Sequence, residues 1–156
     1  MLKDTIKNFL EYYTKNQNEI LLKIDNWYYQ ENTHSLDFLS LENSFNIKIH
    51  DDLEEYYQSY YFEYIEGIEY NGIGLSLDRI LPNNIDCILS YIENELNTSK
   101  DFPLFQIGRE AGSDLPIFFE NNTGKLYTYE YPPYMKRLNL VANSLKELFT
   151  NSKVCL

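Results

Sequence analysis

The stretch DDLEEYYQSYYFEYIEGIE, residues 51–69, decides the fold. It holds Asp51, Asp52, Glu54, Glu55, Glu63, Glu66 and Glu69, and no Lys or Arg lies between Lys48 and Arg79. Leu53, Tyr56, Tyr57, Tyr60 and Tyr61 fall at i, i+3, i+4, i+7 and i+8, which predicts a helix with one broad apolar face. Asp51 or Asp52 is the expected N-cap, and the acids behind it complement the positive end of the helix. From Phe62 the pattern turns to alternation, with Phe62 and Tyr64 set against Glu63, so a strand follows. Helical geometry puts about half of these tyrosines in the core. Two readings stay open for the acids: the solvated side of a core-facing helix, or an acidic, tyrosine-rich surface for a basic partner.

Upstream, Leu2, Ile6, Phe9, Leu10 and Tyr13 make an amphipathic stripe over residues 2 to about 16. Ile20, Leu22 and Ile24 fit either a helical turn or a strand, and Trp27 reads as a core anchor. Residues 30–37 are polar and read as a loop containing an exposed His34. Phe45, Ile47 and Ile49 suggest a short connection, and His50 a capping or surface role.

Downstream, strands are expected at about 61–66 and 68–78, with Gly67, Gly72 and Gly74 permitting turns or bulges. Ile85, Ile88, Leu89, Ile92 and Leu96 mark a helix over about 84–97. Residues 103–107 and 115–120 read as strands around a loop at 108–114. Asn121-Asn122-Thr123-Gly124 reads as a hairpin turn into a strand over 125–130. Pro132-Pro133 breaks the chain. Leu138, Val141, Ala142, Leu145, Leu148 and Phe149 read as one face of a closing helix. Strands clustered between helices imply a single α+β domain, residues 1–156, with a mostly antiparallel twisted sheet flanked by helices.

The 156 residues suit one domain, and 44% hydrophobic content with 16% aromatics is too much for a disordered chain. A formal charge of −11 argues against direct nucleic-acid binding, which needs a basic patch. It instead attracts basic proteins and raises their association rates. Cys87 and Cys155 lack metal-ligand spacing and read as free thiols of a reducing cytosol. No apolar run approaches the roughly 18 residues of a transmembrane helix, and the start of the chain lacks a signal-peptide core. A cytoplasmic protein is expected. Gly108-Arg109-Glu110-Ala111-Gly112 lacks the ending of a phosphate loop, and no hydrolase or metal motif appears. No catalytic residue, cofactor or metal is expected.

Three segments carry a family resemblance. LENSFNIKIHDDLEEYYQSYYFEYIEG, residues 41–67, resembles the SecY-interacting Syd proteins and the wider SUKH superfamily, where an extended stretch enters a helix and then a glycine-marked strand pair. IGREAGSDLPIFFENNTGKLYTYE, residues 107–130, looks like the superfamily's strand–turn–strand, with Gly124, Lys125, Leu126 and Tyr127 in its Gly-Lys-Val-Tyr-like strand. LVANSLKELF resembles its closing helix through Ala142, Ser144, Leu145, Leu148 and Phe149. The likeness covers about residues 36–150. Before that, little matches beyond the first helix and the tryptophan, and the loop at 108–114 resembles the general superfamily more than Syd itself.

The resemblance implies a non-enzymatic binding domain. Many superfamily members are immunity proteins that neutralise a cognate bacterial toxin, often a nuclease, by binding and occluding it. Syd presents an acidic groove to the basic cytoplasmic loops of SecY, which is the alternative. In both, the expected contacts are Asp51, Asp52, Glu54, Glu55, Glu63, Glu66 and Glu69, with Tyr57, Tyr61 and Tyr64 as aromatic anchors.

Overall fold

Leu2, Ile6, Phe9, Leu10 and Tyr13 are the buried stripe of the first helix, α1 (Leu2–Lys15). The computed structural model describes residues 1–16, 29–99, 101–129 and 138–155; the readings at Ile20, Leu22, Ile24, Trp27 and Pro132-Pro133 lie outside them. The chain continues through β1 (Tyr29–Glu31), α2 (Phe38–Phe45), α3 (Asp51–Ser59) and β2 (Tyr60–Phe62). Then come β3 (Ile65–Tyr70), β4 (Ile73–Leu77), α4 (Ile85–Thr98), β5 (Leu104–Glu110) and β6 (Pro116–Glu120). The last described elements are β7 (Leu126–Tyr129), β8 (Leu138–Ala142), α5 (Leu145–Asn151) and β9 (Lys153–Val154).

The main sheet runs β8-β7-β6-β5-β4-β3-β9, antiparallel throughout, and β1 pairs with β2 in a separate ribbon. The fold is α+β, as the sequence predicts. Strands about 4.8 Å apart would spread a flat seven-stranded sheet over roughly 29 Å. Its two edges, β8 and β9, are nevertheless joined by little more than α5, whose 7 residues span roughly 10 Å. The sheet is therefore curled. α1 packs on α5, α3 and β2, and the rings of Phe9, Phe149, Tyr56 and Phe62 follow one another through this core at centroid distances of 5.1, 6.1 and 6.1 Å.

Several elements differ from the sequence reading, and the strand expected at about 61–66 divides between β2 and β3, which lie in separate sheets. The expected connection before residue 50 contains α2, capped by Asp37, whose carboxylate accepts from Ser40 N at 3.1 Å, and closed by Asn46 in the left-handed region at φ 50°. The single strand expected over 68–78 breaks at Asn71 and Gly72, whose φ values of 49° and 78° make the two-residue hairpin turn between Tyr70 and Ile73. The expected closing helix over residues 138–149 is half strand. Leu138–Ala142 fills the edge of β7, and the helix starts only after Ser144, whose hydroxyl accepts from Glu147 N at 3.0 Å.

One bulge determines which way β3 faces. Ile65 pairs with Leu77 but Ile68 with Leu75, so β3 carries one residue more than its partner strand. Gly67 sits at this point with φ +67°, and its carbonyl accepts from Cys155 N at 2.7 Å. The extra residue lets Ile65 and Ile68 both reach the core, while Glu66 and Glu69 remain exposed.

Candidate functional site

The acidic helix starts where its neighbours hold it. His50 has extended backbone angles, and its Nδ1 accepts from Asp52 N at 3.1 Å, so the cap is His50 and not Asp51 or Asp52. Asn121, itself buried, fixes this cap from the far hairpin. Its Oδ1 accepts from His50 N at 2.8 Å, and its Nδ2 donates to Lys48 O at 2.9 Å.

Lys48 then gathers the acids around it. Its ammonium lies 3.2 Å from Asp51, 3.3 Å from Glu42 and 3.3 Å from Glu54. Desolvation pulls the Lys48 pKa down, but hydrogen bonds to these three carboxylates outweigh it and hold the group above its ordinary value. Burial, then the nearby Glu42, push the Glu54 carboxyl up. A single ammonium thus faces three carboxylates, and the group keeps a net negative charge. Lys48 remains 64% exposed, so water screens each pair and each contributes little to stability.

The other predicted acids divide by role. Glu55 accepts from Lys3 N at 3.0 Å and so satisfies an otherwise open donor at the start of α1. Glu63 lies 3.9 Å from Arg79. Asp52 is half-buried beside the cap. Glu66 and Glu69 stand exposed on β3, and Glu69 accepts from Cys155 Sγ at 3.5 Å. The sequence places all seven acids on one surface. The structure separates an α3 group centred on Lys48 from the outward side of β3.

The tyrosines need a larger correction. Tyr57 and Tyr61 are each only 4% exposed and do not serve as surface anchors. Tyr56 and Tyr60 are buried as well. The expectation that only about half of these tyrosines lie in the core fails because Tyr56 and Tyr57 take the buried face of the helix, which ends at Ser59, and Tyr60–Phe62 becomes a wholly buried strand. Tyr64 is the exception at 50% exposure, and the Arg79 guanidinium lies 5.1 Å from its ring centroid.

Behind Tyr64 opens a cavity of about 350 Å³ between α3, α4 and the ends of β4 and β5. Tyr56 and Tyr57 come from α3; Asp78, Arg79 and Ile80 follow β4; Cys87, Ile88 and Tyr91 come from α4; Gln106 and Ile107 lie on β5. Asp78 accepts from Gln106 Nε2 at 3.3 Å, and the Tyr91 hydroxyl accepts from Gln106 N at 3.2 Å. The hydroxyl of Tyr56 is buried without a hydrogen-bond partner among the described residues. No short motif announces this cavity, because its walls come from five separated segments.

Burial pushes the Asp78 carboxyl above its ordinary value of 3.8, with Gln106 and Arg109 drawing it partly back. A carboxyl that holds its proton more tightly when folded stabilises the fold fully below pH 3.8, and that contribution is lost as pH rises through the folded value. Asp78→Asn is expected to remove this slope and to raise stability at neutral pH relative to the native chain. Urea titrations across that pH range check it; an unchanged slope would assign the dependence to other groups.

Among the described residues no group of three or more His, Cys, Asp or Glu side chains could hold a metal ion, and no helix is long and apolar enough to cross a membrane. No model of a known protein family matches the chain, and no curated protein does.

Proposed function

We propose that this chain is a non-enzymatic binding domain that recognises a basic protein, and that its partner is a cognate toxin which it neutralises as an immunity protein. The observation that carries the reading is the run Tyr64–Glu66–Glu69. A half-exposed tyrosine is followed along the chain by two exposed carboxylates of β3 that form no ion pair among the described residues, on a chain of net charge −11. Carboxylates without an ion-pair partner can steer a cationic surface into contact, and a tyrosine adds contact area at little entropic cost. The α3 acids add to the same negative field, since the single charge of Lys48 offsets only one of the three carboxylates it faces. Resemblance to the SUKH superfamily supports the choice of a toxin.

Co-expression with the protein encoded by the adjacent gene tests the proposal. A complex that co-purifies and restores growth is the expected result. A toxic neighbour that is neither bound nor neutralised removes the immunity reading, and binding to SecY-containing vesicles instead would transfer the acidic surface to the translocon.

A further inference from the structure

The cavity behind Tyr64 goes beyond this reading, because its chemistry is defined without any reference to a partner's identity. Its wall carries one carboxylate, Asp78, together with the rings of Tyr56, Tyr57 and Tyr91. Phenol faces are electron-rich and attract a cation, while a half-buried carboxylate supplies the opposite charge in a medium of low dielectric. Asp78 lies close enough to Tyr56, Tyr57 and Tyr91 to act electrostatically on all three. Among the described residues of the lining the only cation is Arg79, which lies beside Glu63 and the Tyr64 ring. An anionic ligand would meet Asp78, while Arg109, whose charge already acts on that carboxyl, is not on the lining.

Two further observations bear on what the cavity can take. Tyr56 belongs to the lining, and its hydroxyl is buried with no partner among the described residues, an unmet hydrogen-bonding group in the wall. The volume of about 350 Å³ lies at the low end for small-ligand sites, which suits one side chain or a small amine better than a nucleotide.

We infer that this cavity is a binding site for an alkyl guanidinium or ammonium group, seated on Asp78 and enclosed by the three tyrosines. The group can come from an Arg or Lys side chain of a protein or from a free amine, and the chemistry is shared.

The two thiols allow a direct test on the native chain. Cys87 lines the cavity and Cys155 does not, yet both are exposed. Iodoacetamide labelling followed by mass spectrometry, with calorimetry alongside, is run with n-butylguanidinium, n-butylammonium, n-butanol and butyrate. The cations are expected to slow Cys87 labelling several-fold while Cys155 serves as the unchanged reference. Asp78→Asn is expected to weaken cation binding by about tenfold or more. Tyr56→Phe is expected to weaken binding while leaving the free protein as stable or more stable, a combination that a purely structural role does not produce. Comparing putrescine with a short arginine-containing peptide separates the two sources. Equal protection by n-butanol, or none by either cation, overturns the site. Such a failure leaves the basic-partner reading standing, just as a failed co-expression leaves cation binding at Cys87 untouched.

Discussion

Replacing Glu120 with alanine is expected to cost about 3 kcal/mol of stability, because hydrogen bonds to a charged group are each worth about 1.5–3 kcal/mol. Glu120 is 1% exposed and has no ion pair among the described residues. Its carboxylate accepts from Asn122 N at 2.7 Å, from Thr123 N at 2.9 Å and from the Thr123 hydroxyl. These bonds close the turn between β6 and β7. The effect extends further, since Asn121 in the same turn holds the backbone of His50 and Lys48. Loosening the turn therefore loosens the start of α3. Glu120→Gln should fall between, as it keeps one acceptor but turns an amide toward a donor. For a chain of this size the alanine variant should melt about 6–12 °C lower. Urea unfolding gives the global loss, and faster amide exchange at His50 reports the local one. A loss below about 1 kcal/mol would mean that water serves those amides equally well.

If the proposed basic partner binds here, reversing Glu66 and Glu69 together to lysine is expected to slow its association by about 10–100-fold at low salt, since steering by charge acts on the association rate. Each reversal removes a negative charge and adds a positive one, moving the net charge from −11 to −7. Both side chains are exposed on β3 and neither enters the core, so the fold should survive. The difference should vanish near 1 M salt, where the screening length falls to about 3 Å. Stopped-flow association at several salt concentrations decides the matter. Equal rates for both proteins at low salt would move the contact surface elsewhere, and the same substitutions to glutamine separate lost attraction from added repulsion.

Several elements were legible in one dimension because the signal lies in spacing alone. The α1 stripe and the Ile85–Leu96 pattern of α4 repeat at helical period, and both became helices. Asn121–Gly124 forms the turn its residues predict. The mistaken closing helix shows the limit of such patterns. Val141, Ala142, Leu145 and Leu148 keep helical spacing across a strand–helix boundary, and the Ser144–Glu147 cap that marks the break was present in the sequence but overlooked. α2 was missed although Asp37 and Asn46 bracket it as caps.

The candidate site was less accessible. Residues 51–69 pointed to an acidic helix leading into a strand, but not to the side from which each tyrosine would be covered. Tyr61 is buried because β2 is covered on both faces, and Glu54 faces Lys48 because residues 42–54 converge at one helix end. Asp78, Cys87, Tyr91 and Gln106 carried no local pattern and became one cavity only when α4 packed beside β5.

Taken alone, the order of residues determined the α+β class, the helices with clear period, the Asn121–Gly124 turn and the negative charge, because each depends on neighbours a few positions away. Tertiary packing decided which carboxylates stay unpaired, which tyrosine reaches water and where a cavity opens. Those properties depend on contacts between segments far apart in the chain, and no short-range spacing encodes them.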